Sequence, residues 1–225
     1  PPSGGLISIN FLFMEFKIIV ASATHIIYAN AISEMISNAS HKRGTGIAYR
    51  SPNYIKHKMQ EGKAIIALLG NEVAGFCYIE TWSHHKYVAN SGLIVSEHFQ
   101  NQGLAAQIKK KAFQLSLERY PESNLFGITT SLPVMKINSA LGYKPVTFSE
   151  LTDDEAFWKG CQGCKNIDIL KRNNHKMCLC TGMLYKPNGE IKMTSEPKKR
   201  RWNQFTSFLK ARAKRLKNLK IKTYV

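Results

Sequence analysis

"GLIVSEHFQNQGLAAQIKKKAF", residues 92–113, begins as an apolar run, Leu93-Ile94-Val95, and turns polar through residues 96–102. After Gly103 it takes up helical spacing, with Leu104, Ile108, Ala112 and Leu115 recurring at three- and four-residue intervals. A strand, a polar loop and a helix over residues 103–119 are therefore expected. A strand that runs into a helix N-terminus presents unpaired backbone N–H groups and the positive end of the helix dipole, which together suit an anion. Gly103 lets a phosphate approach the backbone, Ala105 keeps the first turn slim, and Gln100, Asn101 and Gln102 add amide groups nearby. The same pattern also fits an ordinary strand-to-helix connection in which the glycine only eases a turn, and one glycine does not choose between the two.

Upstream, "MEFKIIV" (14–20) is expected as a first strand and "SATHIIYANAISEMISNAS" (22–40) as a helix with Ile26, Ile27, Ala31, Ile32, Met35 and Ile36 on one face, followed by a loop, "HKRGTG". Ser51 and Pro52 are N-cap and first helical residue of a second helix closed by Gly62. "KAIIALLG-NE-VAGFCYIE" is a hairpin and "YVANSGLIV" a fourth strand. Downstream come a strand at 125–130, a short helix ended by Gly142, a capping box at Thr152 and Glu155 before "AFWKG", and two strands, "NIDIL" and "KMCLCTGMLY". Helices alternating with strands in this order imply an α/β (α+β) fold on a mixed sheet.

Element order and loop together carry a family likeness. Gln100-Asn101-Gln102-Gly103-Leu104-Ala105 resembles the Q/R-x-x-G-x-G/A pyrophosphate loop of the GNAT superfamily of N-acetyltransferases, and it follows the fourth strand as in that family. Ala74-Gly75-Phe76 resembles the family's preceding hairpin, and the stretch from Asn138 to Val146 resembles its late "LGF" segment. The resemblance covers about residues 14–186, and residues 47–187 look more narrowly like bacterial GNAT proteins with a cysteine-containing C-terminal part. It implies a GNAT fold: a mostly antiparallel mixed sheet flanked by helices and splayed between strands 4 and 5. It also implies acetyl-CoA as acyl donor, the pyrophosphate on the loop and the pantetheine beside the fourth strand. The cofactor-binding residues so implied are Ile94, Val95, Gln100, Asn101, Gln102, Gly103, Leu104 and Ala105. The thioester carbonyl would meet a backbone N–H near Val95.

The family's usual acid is a tyrosine four residues before the glycine of that late segment, and Asn138 stands there. Asn138 can hydrogen-bond a sulfur or a pantetheine arm but cannot protonate a thiolate. Glu80, at the end of the third strand, is the candidate base and equally reads as a solvated strand-end carboxylate; His84 and His85 are a second choice. Tyr143 and Cys77 read as core.

Cys161, Cys164, Cys178 and Cys180 form a C-x-x-C and a C-x-C pair. Four thiolates suit a closed, structural zinc site; two paired strands carrying buried cysteines explain them equally. The formal net charge is +17, and residues 197–225 hold eleven basic residues and no acid, against 21 basic and 15 acidic residues before them. That tail, with Trp202, Phe205, Leu209, Leu216 and Leu219 among the charges, reads either as a disordered arm or as an amphipathic helix for a polyanion or membrane surface. "LISINFLFMEFKIIV" is too short and too interrupted by charge to span a bilayer, and a cytoplasmic location is expected. The expected organisation is an extension at 1–13, an acyltransferase domain at 14–190 and a basic tail at 191–225.

The expected activity is transfer of an acetyl or related acyl group from acyl-CoA to a primary amine. A small amino-acid-like acceptor fits a mildly basic body, because Lys or Arg can hold its carboxylate. The resemblance extends to N-acylglutamate formation in early arginine biosynthesis. The alternatives are a protein amine as acceptor, or a non-catalytic GNAT-fold module that binds CoA or nucleic acid.

Overall fold

The structure, a computed structural model, describes residues 15–43, 48–187 and Ser207. Strands β1 (Lys17–Val20), β2 (Ala64–Leu69), β3 (Glu72–Trp82), β4 (Tyr87–Val95), β5 (Asn124–Thr129), β6 (Lys144–Val146) and β7 (Thr181–Tyr185) form one seven-stranded sheet in the order β1-β2-β3-β4-β5-β7-β6. All neighbours run antiparallel except β4 and β5. The helices are α1 (Ala29–Arg43), α2 (Pro52–Gln60), α3 (Leu104–Arg119), α4 (Leu132–Ala140), α5 (Glu155–Lys159) and α6 (Ile167–Arg172).

The two faces of β2 show why the sheet is covered on both sides. Ile65 and Ala67 pack with Cys77 and Ile79 against Ile108, Ala112 and Leu115 of α3. The alternate residues Ala64 and Ile66 pack with Phe76 against Ile32 and Ile36 of α1 and Ile55 and Met59 of α2. This period-two partition makes β2 an unbroken apolar run in sequence. A third apolar cluster, Phe126, Phe148, Phe157, Trp158, Leu170 and Leu184, seats α5 and α6 on the β5–β7 part of the sheet.

The expected mixed, mostly antiparallel fold splayed between strands 4 and 5 is observed, with local differences; the helix expected over 22–40 begins as a 3-10 turn at Ala23–Tyr28, where Ile27 is exposed. "NIDIL" is helix α6, not a strand: Leu170 is buried while Asp168 and Arg172 pair at 3.4 Å one turn apart. Asp168 near its start and Lys171 and Arg172 at its end also suit the helix dipole. Strand β7 begins only at Thr181, so Cys178 and Cys180 precede it. The capping side chain of α5 is Asp154, which accepts from the Ala156 N–H at 3.0 Å. Thr152 is buried instead, its hydroxyl paired with that of Ser83 and its carbonyl accepting from the Trp158 indole. The short edge strand β6 was not anticipated; Pro145 is tolerated there because an edge residue needs only one set of ladder bonds.

The chain divides into two units, Pro1–Pro187 and Asn188–Val225. In the second, only Ser207 is described, helical and exposed. The expected extension at 1–13 and the rest of the basic tail lie outside the described residues. Among the described residues, no helix is long and apolar enough to cross a membrane.

Candidate active site

β4 and β5 pair only at Tyr87–Asn124, Val88–Leu125 and Ala89–Phe126. Beyond Ala89 they part, while β5 continues against β7 as far as Thr129. The edge of β4 from Asn90 onward therefore has no strand partner among the described residues and lines a V-shaped opening, where side chains reach only part of it, Lys109 the Asn90 carbonyl and Gln100 the Val95 carbonyl. A bulge sharpens the departure. Phe76 opposes Ile94 and Tyr78 opposes Ser91, so β4 carries one extra residue at Gly92-Leu93. Gly92 has φ +66, and a Cβ there would lie 2.7 and 2.9 Å from the Tyr78 ring. Gly92→Ala is expected to cost about 2–4 kcal/mol, combining left-handed strain with overpacking. Chemical denaturation checks this, and an unchanged midpoint would show that the bulge relaxes freely.

The V opens into a cavity of about 820 Å³. Asn90–Ile94 wall one side of it, residues 127–131 the other. Arg50, Tyr54, Tyr78 and Glu80 reach it from the β3 side, Asn138 from α4, Lys109 from α3, and Cys161, Cys164 and Cys180 from the C-terminal layer.

At the far end of β4, the loop is held by the Gln100 side chain, which donates to the Val95 carbonyl at 3.1 Å, and by the Gln102 side chain, which reaches the His98 carbonyl at 3.5 Å. These two amides, expected to face a ligand, are instead engaged in shaping the loop. Asn101 and Gly103 take φ +62 and +75. The first amide of this stretch to bond within the protein is that of Ala106, to the Gly103 carbonyl. The N–H groups of residues 101–105 have no protein acceptor among the described residues. A Cβ on Gly103 would meet nothing within 4 Å, so the space in front of it is open. A cluster of unsatisfied amides at the N-terminus of a 16-residue helix has the charge and geometry that suit a polyanion. Ile94 and Val95 are buried and bonded to β3 on their inner edge.

Glu80 is the one carboxylate lining the cavity among the described residues. It is not a solvated strand end: it accepts from the Tyr54 hydroxyl at 3.0 Å and pairs with the Lys58 ammonium at 2.5 Å. Burial pushes the Tyr54 phenol upward, so it stays protonated and donates. Burial opposes the Lys58 charge, but Glu80 and Glu61 together more than offset this, and the Lys58 pKa is raised. Asn138 is buried, and its side-chain oxygen has no partner. An orphaned buried acceptor in a cavity wall is open to a donor from water or from a ligand. His84 and His85 sit in the β3–β4 turn in left-handed conformations and do not line the cavity.

Arg50, not singled out by the sequence, is a cation of the cavity wall on the β3 side. Its Nε donates to the Tyr78 hydroxyl at 2.8 Å and its Nη1 to the Tyr49 carbonyl at 2.9 Å. Its guanidinium lies 5.7 and 5.9 Å from the Tyr54 and Tyr78 ring centres. No carboxylate pairs with it among the described residues.

Among the described residues no group of three or more His, Cys, Asp or Glu side chains is arranged to hold a metal ion. Of the four cysteines expected to hold zinc, Cys178 and Cys180 lie ahead of β7, the Cys178 thiol is 3.9 Å from the Asn166 carbonyl, and Cys161, Cys164 and Cys180 line the cavity. Burial, reinforced by the neighbouring thiols, pushes Cys161 up to about 11 and Cys180 up to about 12. These are protonated thiols in a cavity wall. Cys77 and Tyr143 are core residues, as expected, and the Tyr143 hydroxyl also holds the Asn90 side chain at 3.0 Å.

Residues 33–128 match the model of the acetyltransferase (GNAT) family. The splayed strand β4 and the amide-lined loop both fall within this matched stretch. Comparison with curated proteins finds no match. Among solved structures, the chain is similar to N-acetylglutamate synthase from Neisseria gonorrhoeae complexed with coenzyme A and N-acetylglutamate, with a TM-score of 0.57, 16% identity and 76% of this chain covered. It spans only 35% of that chain. It is also similar to a Mycobacterium tuberculosis protein in complex with CoA (TM-score 0.54, 13% identity, 76% of this chain and 98% of that one). A Salmonella typhimurium protein with its cofactor acetyl-CoA is comparable (TM-score 0.54, 10% identity, 77% and 95%). At these identities the likeness is one of fold.

Proposed function

We propose that this protein is an acyl-CoA-dependent N-acetyltransferase that acetylates the amine of a small, carboxylate-bearing acceptor, with L-glutamate the first candidate. The observation that carries the reading is continuous: unsatisfied amides at 101–105 lead along the free edge of β4 into a cavity whose arginine lacks an acidic partner. The family match supports the chemistry, and the neighbours solved with CoA or acetyl-CoA support the donor. The gonococcal neighbour, solved with N-acetylglutamate, supports an acidic amino acid as acceptor.

In this reading the amides of residues 101–105 bind the pyrophosphate, with Gln100 and Gln102 shaping the loop and Leu104 and Ala105 opening the helix. The pantetheine adds to β4 from Val95 and Ile94 onward as an extra strand does, and an N–H further along that edge, toward the apex, receives the thioester oxygen as negative charge builds on it. Arg50 holds the acceptor's carboxylate, Glu80 receives the amine's proton directly or through water, and the Asn138 oxygen takes a hydrogen bond from the pantetheine or the amine. Attack of the neutral amine on the thioester carbon then yields the amide and the CoA thiol. The residues of the domain are 14–190, and Cys161, Cys164 and Cys180 enter as cavity wall. That wall, with Phe157 and Gly160, favours a compact acceptor over a protein chain.

The test is release of free CoA thiol from acetyl-CoA with individual amino acids, amino-acid amides and simple amines. Release with acidic amino acids, well above release with their amides, is expected. No release with any amine would reduce the protein to a binder.

A further inference from the structure

Lys109 projects from α3 into the interior and is 2% exposed. Its Nζ donates to the Asn90 carbonyl at 3.3 Å and lies 5.5 Å from the Tyr143 ring centre. No carboxylate pairs with it among the described residues. A buried ammonium without a counter-ion is costly, and a core would ordinarily place an apolar chain there.

Its location explains the cost. Ala89–Phe126 is the last paired position of β4 and β5, so Asn90 and Gly127 flank the apex of the V. A Cβ on Gly127 would lie 3.6 Å from the Asn90 carbonyl and 4.0 Å from the Lys109 Nζ. The missing side chain leaves the ammonium facing the cavity, which Lys109 and Gly127 both line. From Val95 to Asn90 is five residues of strand, roughly 17 Å. An extended pantetheine arm that starts at the loop amides spans such a length and delivers its sulfur toward the apex.

We propose that Lys109 is the acid that protonates the departing CoA thiolate, the task Asn138 cannot perform. This rests on the acyl transfer proposed above. The acceptor's nitrogen forms the bond to the acyl carbon, the carbon–sulfur bond breaks with its electron pair on sulfur, and the Lys109 ammonium gives that sulfur a proton. The amide nitrogen sheds its surplus proton to Glu80 or water, and neutral Lys109 recovers a proton from solvent. Amine plus thioester becomes amide plus thiol, with lysine unchanged.

The surroundings suit this role. Burial draws the Lys109 pKa down to about 8, against a smaller opposing effect of Cys77, which brings the ammonium close to a thiol in acidity. The other titratable groups facing it are Cys77 from β3 and Tyr143 beyond α4. Burial pushes Cys77 up to about 11 and Tyr143 further up, so neither ionises in the same range. The acid form of Lys109 is present below about pH 8 and lost above it, so its contribution falls as pH rises through that value.

The experiment is a pH titration of CoA bound to the parent protein and to Lys109→Met, followed by thiolate absorbance in the ultraviolet. In the parent, the ammonium stabilises the thiolate, and the bound thiol is expected to ionise at least about tenfold more readily than in Lys109→Met. Turnover of acetyl-CoA by Lys109→Met should fall about 10²- to 10⁴-fold with unchanged affinity for the coenzyme. The deficit should shrink at least about tenfold with an acetyl thioester of an acidic thiophenol, whose thiolate leaves without a proton. A bound thiol that ionises no more readily in the parent than in free CoA overturns the inference and leaves the transfer reading standing, without needing the variant to fold. A parent that does not bind CoA overturns both.

Discussion

Arg50→Met is expected to lower catalytic efficiency toward an acidic amino acid by about two to four decades. Charge-assisted hydrogen bonds are worth roughly 1.5–3 kcal/mol each, a guanidinium offers a carboxylate two, and about 1.4 kcal/mol corresponds to one decade. Arg50 already spends Nε on the Tyr78 hydroxyl and Nη1 on a backbone carbonyl, so its plane is fixed before a ligand arrives. A preorganised donor loses little entropy on binding, which places the effect toward the upper part of the range. The loss should appear mainly in KM, because the carboxylate is held equally in ground and transition states. Acetyl-CoA affinity should be unchanged, and the preference for the acid over its amide should collapse. Arg50→Lys should recover only part of the efficiency, since an ammonium cannot reproduce the fork or the stacking between Tyr54 and Tyr78. If Arg50→Met retains the preference for the acid, the arginine is only a spacer between two tyrosines, and the acceptor's carboxylate is held elsewhere.

The contrast between Arg50 and the opening stretch marks where sequence reasoning reaches. β4, its loop and α3 were legible because each leaves a local signature: an apolar run buried on both faces, a glycine where the chain turns left-handed, and an apolar stripe one turn apart. α6 was not, because "NIDIL" alternates apolar and polar residues as a strand does, and six residues are too few to separate a period of two from one of 3.6. Its state is decided by the seat that Trp158 and Phe148 offer Leu170, which is tertiary information. Arg50 sits one residue before an N-cap and looks like any loop arginine until the fold brings Tyr78, 28 residues on, beneath it. Lys109 hides in a run of three lysines that reads as a solvated face. Its position three residues before Ala112 and seven before Ser116, both buried, was the available sign that it points inward.

Function shows in the same places where the local rules are broken. A glycine in a strand at Gly92 and, among the described residues, an arginine and a lysine without a carboxylate partner and an orphaned asparagine oxygen all line or shape the same cavity. Each costs stability by itself. Their convergence on the apex and acceptor side of the V is what a preorganised polar site requires, since dipoles and charges fixed in advance need no reorganisation during reaction.

The second large effect is expected at Gly103. Its φ of +75 disfavours any side chain by about 1–2 kcal/mol, but a Cβ would meet no protein atom within 4 Å. The obstruction is therefore to a ligand: a side chain there enters the space before the amides of residues 101–105. Displacing a pyrophosphate from one or two of those amides at roughly 1.5–3 kcal/mol each should weaken acetyl-CoA binding by about one to four decades. Strain and obstruction separate through the choice of substituent. Valine adds both, since a β-branched residue is poorly suited to a left-handed conformation. Asparagine tolerates that conformation and isolates the obstruction. Gly103→Asn should keep a melting temperature close to the parent's and a native circular dichroism spectrum, yet lose most of its coenzyme affinity in calorimetry. Gly103→Val should lose affinity and melt lower. Parent-like affinity in Gly103→Asn would mean that the glycine serves the turn alone, and the loop amides would forfeit their place as the coenzyme's anchor.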